Sequence, residues 1–265
     1  MEGIKPLSAE VGKSRSILLI GAPGTGKTTL ACNYRAKERK LVLDVDRKLA
    51  AQENIPKEVR DKIDIWSPDV PLSGSKIGIA RVERYEDKGN RKVLVQGTEG
   101  YVPENPTGFQ LTVDFINQLL DIPKEEYPYQ VTVLDGITRV AEHLDRLVKH
   151  HHQVSNFTIN LWGIFGTNLQ ELVAGFLSLP NDKIVIVHSK VIQDESTSEV
   201  HSRPLIAGFM SDALPKEFNE VYHLLGEHGG KYMARVRANR KYIARTCKEL
   251  PAELPLEDLM KALSA

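Results

Sequence analysis

The sequence predicts an α/β fold built around a mainly parallel central sheet. Apolar runs with strand character recur along the chain, at residues 16–20, 131–134 and 183–187, and such runs are typical of strands buried on both faces. Segments of helical character separate them, and a strand, helix, strand order favours parallel pairing. The first run leads directly into a glycine-rich loop at residues 21–28, which is the third observation behind this prediction.

The remaining elements follow from local patterns in chain order. Helical spacing of apolar residues predicts the helices, continuous apolar runs predict the buried strands, and alternation predicts the late strands. The predicted elements are a helix at 26–39, strands at 40–46 and 63–66, a helix at 109–120, a strand at 129–135, helices at 136–149 and 160–179, a strand at 183–188, strands at 220–225 and 232–237, and a helix at 256–262.

Residues 68–107 interrupt this succession of helices and strands. Proline and glycine residues between positions 68 and 78 mark the change, because these residues favour turns and loops. Segments 77–85 and 92–96 then flank a polar turn, a pattern typical of a β-hairpin. We therefore expect a hairpin insertion at 68–107 within a single domain that spans residues 1–265.

Composition excludes several classes of protein. The chain has 265 residues, of which 41% are hydrophobic, so it can bury a substantial core. Lys plus Arg and Asp plus Glu both number 35, so any site for a polyanion must be a local patch. Two cysteines are too few for a disulfide framework. No signal-peptide core or membrane-length apolar stretch is visible, and we expect a soluble cytoplasmic protein without a membrane partner.

The glycine-rich loop carries the strongest functional signal. Residues 21–28 fit the phosphate-binding pattern G-x-x-x-x-G-K-[ST] between a strand and a helix. In such loops backbone N–H groups surround a phosphate, the lysine reaches the β- and γ-phosphates, and the last hydroxyl holds Mg²⁺. ATP and Mg²⁺ are therefore the predicted cofactors. The predicted nucleotide-binding residues are Gly21, Ala22, Pro23, Gly24, Thr25, Gly26, Lys27, Thr28 and Thr29.

Acidic residues end two of the predicted strands. Asp135 fits the second element of a nucleotide site, an aspartate that holds Mg²⁺ together with Thr28. Gly136 follows it, where many AAA+ ATPases carry a catalytic glutamate, so the carboxylate that activates water must come from elsewhere. Asp46 is the best candidate and Asp44 the second, and we expect only one of them to face the site. The alternative is that both carboxylates cap the following loop.

Further polar residues are candidates for γ-phosphate sensing and for contacts beyond the nucleotide. His188 ends a buried strand at the same expected edge, where it either contacts the γ-phosphate or is structural. The segment 231–248 is rich in basic residues without an acidic one. It supplies an arginine finger to a neighbouring subunit, lines a path for single-stranded DNA, or is a solvated face. The candidates for such contacts are Arg203, Arg235, Arg237, Arg240 and Lys241.

Together these segments resemble RecA-like ATPases, and most closely the compact phage-encoded ATPases of the Sak single-strand annealing type. The resemblance rests on Ile-Leu-Leu-Ile-Gly-Ala-Pro-Gly-Thr-Gly-Lys-Thr-Thr at 17–29, Val-Thr-Val-Leu-Asp-Gly-Ile-Thr at 131–138 and Lys-Ile-Val-Ile-Val-His-Ser at 183–189. It covers about residues 14–60 and 109–245 and leaves the hairpin insertion outside.

The resemblance implies a RecA-like P-loop NTPase core that binds ATP and Mg²⁺. From the residues themselves, we expect ATP hydrolysis to depend on Lys27, Asp46, Asp135 and His188. The resemblance also implies a homo-oligomeric ring or filament that acts on single-stranded DNA in recombination or annealing, with a single-strand-binding protein as a candidate partner. Two departures stand out. RecA relatives usually carry glutamate where this chain has Asp46, and the loop at 193–210, where RecA proteins bind DNA, holds more acidic than basic residues.

Two other functions fit the same loop and sheet. A small-molecule kinase also pairs a phosphate loop with a parallel sheet, because a fold does not fix a function. An ATP-gated assembly factor or loader would use the nucleotide to stabilise a subunit interface, without turnover stimulated by DNA.

Overall fold

The computed structural model describes residues 14–68, 84–88, 91–96, 106–193, 198–228 and 231–264. The strands are β1 (Ser16–Gly21), β2 (Lys40–Asp44), β3 (Ile63–Trp66), β4 (Arg84–Lys88), β5 (Arg91–Gln96), β6 (Val131–Asp135), β7 (Asp182–Gln193), β8 (Val200–Pro204), β9 (Glu220–His228), β10 (Lys231–Arg235) and β11 (Glu253–Pro255). The helices are α1 (Lys27–Asn33), α2 (Lys57–Arg60), α3 (Gly108–Leu120), α4 (Ile137–His152), α5 (Ile159–Leu177), α6 (Met210–Ala213) and α7 (Leu256–Ser264).

The central sheet confirms the predicted mainly parallel α/β architecture. Its strand order is β11-β10-β9-β1-β7-β6-β2-β3, and β8 pairs with the outer part of β7. The six strands from β9 to β3 are parallel, whereas β8, β10 and β11 are antiparallel to their neighbours. β1 therefore lies inside the sheet, with β7, β6 and β2 on one side and β9 and β10 on the other.

Helices cover both faces of the sheet, because the inner strands are apolar on both sides. Along β1, Leu18 and Ile20 belong to one core and Ile17 and Leu19 to the other. The first core includes buried residues of α3, α4 and α5, and the second includes residues of α1, α2 and α7. Full burial of β1, β2 and β6 explains why these strands read as continuous apolar runs.

Several predicted boundaries were wrong, and three of them have a visible structural reason. α1 ends at Asn33 instead of residue 39, because Tyr34 is extended and Arg35 has a φ of 45°. The Tyr34 hydroxyl donates to Asp182 Oδ2 at 2.7 Å, and this tertiary contact fixes the stop. β2 ends at Asp44 instead of residue 46. β7 extends to residue 193 instead of 188, because its outer half pairs with β8.

The hairpin region is described only in part. β4 and β5 pair antiparallel in a separate two-stranded sheet. Residues 69–83, 89–90 and 97–105 lie outside the described residues, including most of the strand predicted at 77–85. The limits of the insertion and the single-domain assignment stay predictions. Within the described ranges, the helices are too short or too polar to cross a membrane.

Candidate active site

The loop between β1 and α1 needs its glycines for backbone reasons. Gly24 and Gly26 have φ values of 78° and 84°, in the left-handed region that favours glycine. At Gly21 a Cβ atom would lie 2.7 Å from the Leu224 carbonyl oxygen of β9. The loop therefore turns sharply against β9 and leads into α1 at Lys27.

Lys27 is buried at the base of the loop. Its Nζ donates to the carbonyl oxygens of Gly21 at 2.9 Å and Ala22 at 2.7 Å. Burial lowers the pKa of Lys27 to about 8, although the nearby charges of Asp135 and Asp46 act in the opposite direction. An anionic ligand beside this ammonium would favour its charged form.

Thr28 and Asp135 are brought together from α1 and β6. The Thr28 hydroxyl donates to Asp135 Oδ2 at 2.7 Å. Burial raises the pKa of Asp135 to about 6, and the charges of Asp44 and Asp46 raise it further against the effects of Thr28 and Lys27. A hydroxyl and a carboxylate oxygen this close are ligands that Mg²⁺ prefers, so the pair fits the predicted metal.

Asp46 lies in the turn after β2 and is surrounded by cationic and polar groups. One carboxylate oxygen lies 3.4 Å from His188 Nε2 and 3.8 Å from Lys48 Nζ, and the other lies 3.7 Å from Arg139 Nε. Burial acts to raise the pKa of Asp46, but His188, Lys48 and Arg139 together lower it. Asp46 is therefore a carboxylate anion at neutral pH.

Gly136 makes room for Asp46. It has a φ of 98°, and a Cβ at this position would lie 3.0 Å from Asp46 Cγ. A side chain directly after Asp135 would therefore displace Asp46 or distort the turn that carries it. This contact explains physically why glycine stands at the position where many AAA+ ATPases carry glutamate.

The two carboxylates at the end of β2 have different environments. Asp46 lines a cavity beside the loop between β1 and α1. Asp44 is buried, and its two oxygens accept the backbone N–H groups of Lys48 at 3.2 Å and Leu49 at 2.7 Å. Residues two apart in a strand share a face, and the two separate here because the strand ends at Asp44. Asp44 therefore caps the following loop, whereas Asp46 faces the site.

His188 reaches the same edge from β7. It pairs with Gly21 across the β1–β7 ladder, and its backbone N–H donates to Thr138 Oγ1 at 3.2 Å. Its ring faces Asp46, as described above. The structure thus brings together Lys27, Thr28, Asp46, Asp135 and His188, the residues expected at the phosphate end.

All these groups line one cavity of about 350 Å³, within the size range of small-molecule sites. On the side of β10 and α7, Tyr232 and Leu256 line the same cavity. Lys48, Gln52 and Asn54 line it from the segment after β2. Sequence reasoning missed these five residues. No motif marks them, and Tyr232 and Leu256 approach the loop only because β9 and β10 lie beside β1.

The sequence that forms this cavity matches a known family. A family model described as AAA domain (AAA_24) matches residues 13–247. The chain belongs to this AAA domain family. The predicted P-loop ATPase core is thereby confirmed at the level of the family, and the chain carries a nucleotide-binding ATPase domain.

The chain also has a low similarity to solved structures. The chain is similar to a crystal structure of the RadB recombinase, with 12% identity and a TM-score of 0.39. The similarity covers 88% of this chain and 86% of that one. No curated protein matches the chain.

The basic candidates of this AAA domain lie apart from its nucleotide cavity. Three of them form ion pairs within the chain: Arg203 with Asp212, Arg235 with Glu253, and Arg240 with Glu199. The other two, Arg237 and Lys241, are exposed. Among the described residues, the cavity lining includes none of the five.

Two of the basic regions meet beside β8. Ser202 N donates to the Lys241 carbonyl oxygen at 2.7 Å, and His201 Nδ1 lies 2.8 Å from the Arg240 carbonyl oxygen. The Lys241 ammonium lies 5.2 Å from the Tyr242 ring centre, within range of a cation–π contact. The β7–β8 hairpin and the segment around Lys241 therefore form one surface, which we call the β8 surface. Asp194 and Glu195, in the acidic part of the predicted loop, lie outside the described residues.

Proposed function

We propose that this AAA domain binds ATP with Mg²⁺ and hydrolyses it. The observation that carries the proposal is the 2.7 Å contact between the Thr28 hydroxyl and Asp135 Oδ2, in a cavity that also holds Lys27 and Asp46. A phosphate-binding lysine, two oxygen ligands for a cation and a separate carboxylate anion are the parts that phosphoryl transfer to water requires.

Each group has a distinct role at the phosphate end. The loop N–H groups and Lys27 bind the phosphates, and Lys27 exchanges its contacts with loop carbonyl oxygens for contacts with phosphate oxygens. Thr28 and Asp135 would hold Mg²⁺, which neutralises charge on the β- and γ-phosphates when bound.

Asp46 is the proposed general base. It accepts a proton from water while the water oxygen bonds to the γ-phosphorus, and the bond to the β,γ-bridging oxygen breaks with its electron pair going to ADP. The products are ADP and inorganic phosphate. His188, at 3.4 Å from Asp46, holds the carboxylate in place and senses the γ-phosphate.

The nucleobase end is proposed on the other side of β1. Asp135 and His188 lie on β6 and β7, and Asp46 in the turn after β2, all on one side of the phosphate loop. Tyr232 lies on β10, on the other side. Tyr232 is 44% exposed and can stack on a base, while Leu256 supplies an apolar contact.

We also propose that the protein acts on single-stranded DNA as a homo-oligomer, in recombination or annealing, as its resemblance to Sak-type phage ATPases implies. Lys241 is exposed and its backbone packs beside β8, and exposed Arg237 lies four residues before it, so this basic segment is the favoured contact. Basic side chains around an aromatic ring are a common means of binding single strands.

Binding of a labelled single strand should depend on nucleotide and fall steeply with salt, because phosphate contacts release counterions. Arg237→Ala combined with Lys241→Ala should make the negative slope of log K against log salt shallower by about 1.4, at about 0.7 per lost contact on a single strand. The matched control is Lys57→Ala with Lys261→Ala, which removes two exposed lysines from α2 and α7.

Salt-independent binding, or none with any nucleotide, would contradict the DNA role. ATP-dependent oligomers without turnover would favour the assembly factor, and a phosphorylated acceptor would favour the kinase.

A further inference from the structure

A second lysine faces the phosphate end of the cavity. Lys48 lines the cavity, and its Nζ lies 3.8 Å from Asp46 Oδ2. Its side chain is 68% exposed, so it can move toward a ligand without losing buried packing. Lys27 approaches from β1 and α1, whereas Lys48 approaches from the turn after β2, so the two ammonium groups enter the cavity from different elements.

The backbone that carries Lys48 is held in place. The Lys48 N–H donates to the buried carboxylate of Asp44, and Arg47 just before it adopts a left-handed φ of 55°. Asp44 also accepts the N–H of Leu49, a core residue. The turn after β2 is therefore fixed at its base, and the Lys48 side chain extends from it toward Asp46.

The charges around the cavity favour an anion between the two lysines. The ammonium groups of Lys27 and Lys48 line the same cavity. The two ammonium groups therefore repel each other. A triphosphate placed between them would remove this repulsion and attract both.

We propose that Lys48 is a catalytic residue that contacts the γ-phosphate and stabilises the charge of its transfer from within the same chain. This inference rests on the proposed ATP hydrolysis. It gives Lys48 the task of an arginine finger, which was one of three alternatives that the sequence left open for the basic segment 231–248. Three candidates for that task, Arg203, Arg235 and Arg240, already pair with carboxylates of their own chain.

The proposed contact also couples ATP binding to the base. In the described arrangement Lys48 is one of the groups that lower the pKa of Asp46. When Lys48 moves to the γ-phosphate, Asp46 loses that neighbour and becomes a stronger base. Proton acceptance therefore improves only when the phosphate is in place.

The test compares Lys48→Ala and Lys48→Arg with Lys57→Ala, which removes an exposed lysine on α2. Lys48→Ala should lower kcat about 100-fold, the effect of losing one donor to the transition state, while Lys48→Arg retains most of the activity. Lys48→Ala should also reduce the preference for ATP over ADP about 5-fold, because one contact to the γ-phosphate is lost. Turnover per wild-type subunit should stay constant on dilution, because Lys48 acts within its own chain.

Wild-type kcat and an unchanged ATP to ADP preference in Lys48→Ala would overturn the inference. A second result would also overturn it: turnover per wild-type subunit falls on dilution, and Lys48→Ala is unaffected. That result would assign the stabilising positive charge to a neighbouring subunit. If the wild type binds ATP without hydrolysing it, proposed hydrolysis fails, but the ATP to ADP preference still decides the role of Lys48. If ATP does not bind, both fail. Thermal unfolding of each variant checks that it folds.

Discussion

The carboxylate of Asp135 is buried beside the Thr28 hydroxyl. Burial is the main reason that its pKa is about 6, above that of a carboxyl in the unfolded chain. Such a group contributes most to stability when it is protonated, and this contribution is lost as the pH rises from about 4 through 6. At pH 7.5 the ionised Asp135 therefore destabilises the protein without metal.

Asp135→Asn should make the metal-free protein more stable at pH 7.5, by on the order of 2 kcal/mol. The variant keeps an oxygen for Thr28 but carries no buried charge. Thermal unfolding in a chelating buffer should show a Tm higher by a few degrees, with the difference shrinking at pH 5 because the wild-type carboxyl becomes protonated. A lower Tm at pH 7.5, or a difference that grows at pH 5, would contradict this explanation.

Lys27 makes nucleotide affinity depend on pH in the alkaline range. Its pKa in the free protein is about 8, chiefly because of burial, and bound phosphates would raise that pKa. Affinity should therefore be constant near pH 7 and fall as the pH rises above 8, by about 10-fold up to pH 9.5. Titration of a fluorescent ATP analogue measures this. Lys27→Ala should bind weakly at every pH, and a wild-type profile as flat as that of the variant would refute the dependence.

Individual site residues differed in how far the sequence could predict them. Lys27, Thr28 and Asp135 follow from a motif and from a strand that ends in acid, because backbone geometry at both places is nearly fixed. The choice between Asp44 and Asp46 could not be made from pattern, since it depends on the residue at which β2 ends. No sequence pattern marks Lys48. Its position at the site follows only from the fold, which places the turn after β2 beside the loop.

β10 and α7 bring the base-contacting candidates to the loop. A Cβ on Gly26 would lie 2.9 Å from Leu256 Cδ2, so the start of α7 packs directly on the phosphate loop. Tyr232 lies on β10 and lines the same cavity. Neither element was predicted to contribute to the site, because both lie some 200 residues after the loop in the sequence.

Tyr232→Ala should weaken ATP binding about 10-fold, since stacking of a base on an aromatic ring contributes on the order of 1–3 kcal/mol. Binding of inorganic tripolyphosphate should stay unchanged, because that ligand has no base. Isothermal titration with both ligands separates the two effects, and Tyr232→Phe, which keeps the ring, serves as the control. Equal losses for ATP and tripolyphosphate would show that Tyr232 supports the loop and does not contact the base.

Boundaries of elements were harder to predict than their existence. The helix after the loop stops at Asn33 because Tyr34 donates to Asp182, a residue about 150 positions away. β7 continues past His188 because β8 pairs with it. In both cases a tertiary contact decides where the element ends, and local pattern carries no signal for such contacts.

The whole sheet explains why the site lies where it does. Parallel strands β1, β7, β6 and β2 end at one edge, which collects the phosphate loop, His188, Asp135 and the turn that carries Asp46 and Lys48. The apolar runs predicted a parallel sheet correctly, because strands with helices on both faces are apolar throughout. Strand order, and with it the proximity of β10 to the loop, could not be predicted from the separate runs.

β7 connects the proposed nucleotide site with the proposed DNA surface. Its inner part carries His188 beside Asp46, and its outer part pairs with β8, which contacts the segment around Lys241. The proposed nucleotide and DNA surfaces are therefore joined by one continuous strand.

Steady-state ATP turnover of the wild type, Lys27→Ala and Asp46→Asn, each with and without single-stranded DNA, is the most direct test of the proposed mechanism. We expect turnover by the wild type that DNA stimulates, none by Lys27→Ala, and at least a 100-fold reduction in Asp46→Asn with ATP still bound. Wild-type turnover in Asp46→Asn would assign the base to another residue, and turnover in Lys27→Ala equal to the wild type would contradict hydrolysis at this site.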